Sequence, residues 1–232
     1  MPTNISLPPV DARLLSAARF TRGGAVADVG TDHAYLPAWL LLEGRISGGV
    51  ATDINPGPLE RAAATLRKYS IEDKIALRLT DGLRGIEEFS PRDIIIFGMG
   101  GELICSILAA AEWVKNPDIR LILQPMTRRA ELRSWLLSQG FFIVDEAESE
   151  VGGRIYQTVC AEYDGIDRTG DYDVAELLIG RHNIKRCGKL TLEYTKNLYD
   201  IYSARRAGKL KSGADTSEED EVLAGLDRLL GR

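Results

Sequence analysis

Residues 26–37 read VADVGTDHAYLP. An apolar run broken only by Asp28 and closed by Gly30 predicts a buried strand ending in a sharp loop, the way many nucleotide-binding α/β folds begin. A charged and aromatic cluster, Asp32, His33 and Tyr35, follows at once. Whether that cluster is scaffold or chemistry depends on what the rest of the chain brings beside it.

Outward from this stretch, strand-like runs at 25–29, 49–54, 76–80, 93–98 and 121–124 alternate with helical patterns. The helix at 56–69 follows Asn55, a good N-cap; one at 102–114 follows Gly98-Met99-Gly100-Gly101; one at 127–139 is closed by Gly140. Such alternation predicts a doubly wound α/β core with a mostly parallel sheet. Two further runs, 141–146 and 156–162, joined through Gly152-Gly153, predict an antiparallel hairpin that completes seven strands. Beyond residue 164 helix formers and charge dominate, with helices expected at 172–187, 191–207 and 217–229 and turns at 188–189 and 208–213. The predicted organisation is a core at 1–163 and a helical appendage at 164–232.

The 232 residues are 44% hydrophobic and 27% charged, ordinary values for a folded globular chain. No run reaches the roughly 18 to 20 apolar residues of a bilayer span, and residues 1–9 lack the marks of a leader, so a soluble, cytoplasmic, monomeric protein without a membrane partner is expected. The three cysteines, Cys105, Cys160 and Cys187, form no CxxC pair, which argues against a structural metal site.

In an open α/β sheet the ligand lies beyond the carboxyl ends of the strands. There the first strand offers Asp28, Gly30 and Asp32, the second Asp53, the third Asp81-Gly82 and the fourth Gly98. Asp53 follows the first loop by about twenty residues, the spacing at which a carboxylate reaches a ribose. Asp81 with Gly82 would set an acceptor and a close backbone beside an adenine amine. The first loop, Gly30-Thr31-Asp32-His33-Ala34, lacks G-x-G-x-x-G, and Asp32 would repel phosphate. An adenosine cofactor with a cationic centre and no phosphate, S-adenosylmethionine, is therefore favoured, with Asp28 and Asp32 complementing its positive charges.

VADVGTDHAYLP, TDINPGPLERA, TDGL, FGMGG, and LILQP followed by ELRSWL resemble, in unbroken order from residue 11 to 163, the TrmK family of bacterial tRNA adenine N1-methyltransferases. The resemblance implies a Rossmann-like class I methyltransferase core with a C-terminal helical, coiled-coil-like domain, and methylation of adenine 22 in the D-loop of tRNA. It places Asp28, Gly30, Thr31 and His33 in the first cofactor motif, Asp53 and Ile54 at the ribose, Asp81, Gly82 and Leu83 at the adenine, and Gly98 on the methionine side. Met126 stands where many members have Asn, and Asp53 where many have Glu.

Adenine N1 has a free lone pair, so the reaction needs aim more than a strong base. Tyr35 offers a stacking face and Asp32 an acceptor for the adenine amine or an offset to the charge of the methylated base, so these two are the expected catalytic residues. His33 is read as a cofactor contact; a general base and a capping histidine compete with that reading. Packing for Tyr35 and a helix N-cap for Asp32 are equally open.

The net charge of −5 does not suggest nucleic acid, but between 181 and 211 nine basic residues face two acidic ones. Arg181, Lys185, Arg186, Lys189, Arg205 and Arg206 are the expected tRNA contacts, with Lys196, Lys209 and Lys211 nearby. Arg181, Lys185 and Lys189 would share one helix face, and Arg128, Arg129 and Arg133 would extend the track over the core. A methyltransferase for another RNA or a small molecule, and a non-catalytic RNA-binding protein, are the competing readings.

Overall fold

The structure, a computed structural model, describes residues 6–231; residue 232 and residues 1–5, part of the stretch read as lacking a leader, lie outside the described residues. The chain runs α1 (Ala12–Phe20), β1 (Ala25–Val29), α2 (Tyr35–Leu42), β2 (Gly48–Asp53), α3 (Pro56–Tyr69), β3 (Ile75–Leu79), β4 (Asp93–Met99), α4 (Gly101–Ala109), β5 (Arg120–Pro125), α5 (Arg129–Ser138), β6 (Phe141–Val151) and β7 (Arg154–Tyr163). Four helices follow: α6 (Val174–Ile179), α7 (Arg181–Arg186), α8 (Lys189–Ser212) and α9 (Ser217–Leu230).

The strands form one seven-stranded sheet in the order β3-β2-β1-β4-β5-β7-β6, parallel through β5 and closed by the antiparallel β6–β7 hairpin. Alternation along β4 shows why both faces are covered: Ile94 and Ile96 enter one apolar core with α4 and α5, while Ile95 enters the other with Leu40 and Leu66 from α2 and α3. Each such fully buried isoleucine stabilises the fold by roughly 1.5–3 kcal/mol. The strand order reverses between β1 and β4, which opens a crevice above their carboxyl ends.

Several boundaries differ from the sequence reading. Asn55 occupies the N-cap position of α3 without a side-chain cap bond; Pro56 starts that helix. α4 ends at Ala109, and a 3₁₀ turn at Glu112–Val114 folds Val114 into the core. α5 starts at Arg129 because Arg128 is left-handed (φ 54°). The helix expected at 172–187 breaks at Gly180 (φ 97°), where any side chain would strike the Glu146 carboxylate. Conversely, α8 runs through Gly208 for 24 residues, about 36 Å. Ion pairs from its last turns, Arg206–Asp220 and Lys209–Glu219, tie this end of the helix to α9.

The terminal helices are pinned to the sheet by a buried ion pair. Arg133 on α5 and Glu146 on β6 are both fully buried, with Nε donating to Oε1 over 2.7 Å. Arg133 also donates to the Leu177 carbonyl (2.8 Å) at the end of α6, and Glu146 accepts from the His182 N–H (3.0 Å) at the start of α7. Arg133 is therefore joint, not RNA track. Ile179, Leu198, Val222 and Leu226 form a separate small core among α6, α8 and α9.

Candidate active site

A pocket of about 700 Å³ lies over the carboxyl ends of β1 and β4. Asp28, Gly30, Thr31, Asp32, His33, Tyr35 and Gly98, predicted from two separate motifs, line it together. Leu83, Gly82 and Asp81 line a separate pocket of about 520 Å³ beside Leu103 of α4. Asp53 and Ile54 stand at the end of β2; one Asp53 oxygen accepts the Asn55 N–H (2.7 Å), and Ile54 is 62% exposed, an apolar face presented to solvent.

The loop after β1 is shaped by its backbone. The N–H groups of Gly30 and Thr31 both donate to the Thr52 carbonyl over 2.8 Å. These amides are thus spent on β2 and form no phosphate nest, which gives the missing glycine pair a structural counterpart. Gly30 has φ 76°, and a β-carbon there would overlap the Met99 methyl group. Ala34, not Asp32, occupies the N-cap position of α2, and the Thr31 hydroxyl accepts its N–H (3.0 Å).

Asp28 is buried, and burial pushes its carboxyl up to about 6, partly opposed by a hydrogen bond from Thr31 and by the charge of Arg13. An ionised carboxylate here is held at a cost that a cationic ligand would relieve. Asp32 departs from expectation: its Oδ1 is taken by Arg61 of α3, with Nε at 3.0 Å, and its Oδ2 faces His33 Nε2 at 3.4 Å. The carboxylate that the sequence offered to an adenine amine therefore has two neighbours in the fold. His33 and Tyr35 stack on each other, ring centroids 4.7 Å apart and planes within 9°. The two rings form one plate.

Sequence reading missed Arg13, Arg61 and Gln124. Arg13 on α1 lies over Gly98, and its Nη1 donates to Gln124 Oε1 (3.4 Å). Gln124 is fully buried, and its amide bonds the Pro125 carbonyl (3.0 Å) and lies 3.6 Å from the Met126 sulfur. A glutamine inside the apolar run LILQP was a visible signal; nothing local marked Arg13 or Arg61.

The basic tail is altered most. Arg181 is held by Glu176 (2.7 Å), Arg186 by Asp145 (2.6 Å), Arg206 by Asp220 and Lys209 by Glu219 (2.8 Å). Arg205 lies over the Tyr202 ring, 5.0 Å from its centroid. Lys185, Lys189, Lys196, Arg205 and Lys211 are exposed and, among the described residues, have no acidic partner. Arg181, Lys185 and Lys189 do not share a helix face, because left-handed Cys187 separates α7 from α8. Arg129 donates to the Tyr194 hydroxyl (2.7 Å) and so ties α5 to α8, while Arg128 pairs with Glu131 (2.9 Å).

Residues 10–159 match the family described as "Methyltransferase domain". The tRNA (adenine(22)-N(1))-methyltransferase of Bacillus subtilis (strain 168) is 33% identical over 228 residues, 94% of this chain and 92% of that protein. The crystal structure of the B. subtilis M1A22 tRNA methyltransferase TrmK superposes with a TM-score of 0.79 at 30% identity, over 96% of this chain and 97% of the other. Streptococcus pneumoniae Sp1610 in complex with S-adenosyl-L-methionine gives 0.84 at 28% identity, over 96% and 100%. With the switch-point pocket, its buried acid and its aromatic plate carried on a chain this similar along nearly its whole length, the protein belongs to the TrmK family of methyltransferases.

Proposed function

We propose that this protein methylates N1 of adenine 22 in the D-loop of tRNA, in the cytoplasm, with S-adenosylmethionine as donor. The observation that carries the reading is the pocket over β1 and β4, which sets the buried Asp28 and the His33–Tyr35 plate at one sheet end. These residues fit that cofactor: Asp28 suits an ammonium, Asp53 a ribose diol, exposed Ile54 a base face, and Asp81 to Leu83 the adenine edge. When bound, S-adenosylmethionine supplies an electrophilic methyl group.

The chain's own contribution is aim and charge. Adenine N1 lies on the Watson–Crick edge, so the base must leave its stack, and the open face of the His33–Tyr35 plate gives it a replacement stack. Asp32 fixes His33 and, with Asp28, keeps the pocket negative as the methylated ring becomes cationic. Residues 1–163 act as the catalytic unit, and 164–232 present Lys185, Lys189, Lys196, Arg205 and Lys211 to the phosphate backbone.

Incubation with unmodified total tRNA and methyl-labelled cofactor, followed by nucleoside analysis, tests this. N1-methyladenosine lost on mutation of adenine 22 is expected; N6-methyladenosine, or label that ignores that mutation, would overturn the reaction.

A further inference from the structure

We propose that the tip of the β6–β7 hairpin is an RNA-contacting element: Arg154 takes a backbone phosphate of the strand that carries the target adenine, and Tyr156 packs on a nucleoside flanking that base. The proposal rests on the reading of tRNA as the substrate. Three observations carry it. The hairpin overhangs the sheet on the side of the pocket: the last β7 residue paired with β5 is Val159, opposite Leu123, and β5 ends at Pro125 while β7 reaches back to Arg154. In that register the ribbon stands about 10 Å above the end of β5, capped by the exposed Gly152 and Gly153. Its face toward the pocket carries the groups concerned. Side chains alternate along a strand, so Arg154 and Tyr156 share the α1 side with Thr158, whose hydroxyl lies 2.5 Å from that of Ser16. The guanidinium of Arg13, which lines the pocket, lies 5.9 Å from the Tyr156 ring centroid. Glu150, the exposed acid of the tip, is opposite Ile155 in register and so falls on the other face. Finally, the Arg154 side chain is exposed and, among the described residues, has no ion pair or hydrogen bond, and the Tyr156 hydroxyl has no hydrogen bond either.

A two-stranded ribbon is marginal alone, and this one is braced toward α8. Arg129 donates to the Ile155 carbonyl (3.4 Å) and to the Tyr194 hydroxyl (2.7 Å), and Glu148 accepts from the Thr191 hydroxyl (2.6 Å). The tip therefore stands between the pocket and the helix that carries Lys189 and Lys196. RNA lying on α8 crosses this ribbon to bring a base into the pocket. A base drawn out of its stack uncovers its neighbour, and an aromatic ring beside the pocket covers that neighbour whatever its sequence. An unpaired guanidinium one step along the same face suits the adjoining phosphate.

Filter binding of tRNA across a salt series, with steady-state methylation and calorimetry of S-adenosylhomocysteine alongside, tests the tip. Arg154→Gln should weaken tRNA binding by about 3- to 10-fold and lower the slope of log Kd against log salt by about one, while kcat and S-adenosylhomocysteine affinity change less than about twofold. Tyr156→Ala should lower kcat/KM for tRNA by about 10- to 100-fold with that affinity as little changed, and Tyr156→Phe should retain activity, since the contact is made by the ring. Parental tRNA binding and kinetics in both Arg154→Gln and Tyr156→Ala, or losses matched by an equal loss of S-adenosylhomocysteine affinity, overturn the assignment. A parent whose tRNA binding falls on Arg154→Gln but which forms no N1-methyladenosine would instead refute the reaction reading and leave the tip standing.

Discussion

Replacing Asp28 by Asn should stabilise the ligand-free protein while weakening its grip on the cofactor. Burial raises the carboxyl from 3.8 to about 6. At about 1.4 kcal/mol per unit, an ionised Asp28 therefore costs up to about 3 kcal/mol. Because the folded value lies above the unfolded one, the native state binds more protons between about 4 and 6, and stability falls as pH rises through that window. Above about pH 6 the cost is complete, and below about pH 4 it vanishes. Asn keeps an oxygen for the Thr31 hydroxyl and removes the charge. For a chain of this size about 3 kcal/mol is roughly 6 to 12 °C in Tm as an upper bound. Thermal unfolding between pH 5 and 8, with and without S-adenosylhomocysteine, reads both effects, because a ligand adds RT ln(1 + [L]/Kd). The variant should melt several degrees above the parent at pH 7.5, converge toward it near pH 5, and respond less to the ligand. A variant that melts below the parent at pH 7.5, or responds equally to the ligand, would refute the reasoning.

Charge reversal at Lys185 and Lys189 should weaken tRNA binding and lower the slope of log Kd against log salt by about one per lost phosphate contact, whereas Arg206→Gln, which loses an ion pair to Asp220, should leave the slope unchanged. Filter binding across a salt series distinguishes the two. Tyr35→Ala should reduce kcat/KM for tRNA by about 10- to 100-fold with S-adenosylhomocysteine affinity little changed, and Tyr35→Phe should retain activity, since the plate acts through its ring; steady-state kinetics with parallel calorimetry reads both. Arg133→Met should cost about 3–5 kcal/mol in urea denaturation, because Glu146 would be left buried and unpaired. For the same reason a truncation before α6 perturbs the core as well as removing the terminal helices.

Local pattern was enough wherever the physics is local. Alternation of strand and helix periods, the apolar β4 run and the acids at strand ends determined the doubly wound core and the side of the sheet that carries the site, since side-chain period and strand-end position are properties of contiguous residues. Motif order then gave the family and the part of the pocket lining that follows β1 and β4 directly. What the sequence could not carry were pairings between residues far apart. Arg61 sits 29 positions from Asp32 and takes its carboxylate, Gln124 sits 111 positions from Arg13 and accepts from it, and α9 returns acids onto the basic end of α8. Stacking of His33 on Tyr35 is likewise a matter of how the VADVGTDHAYLP loop turns once its amides bind Thr52. Charge and acceptor capacity are set by the partner a side chain meets, and only the tertiary fold chooses that partner.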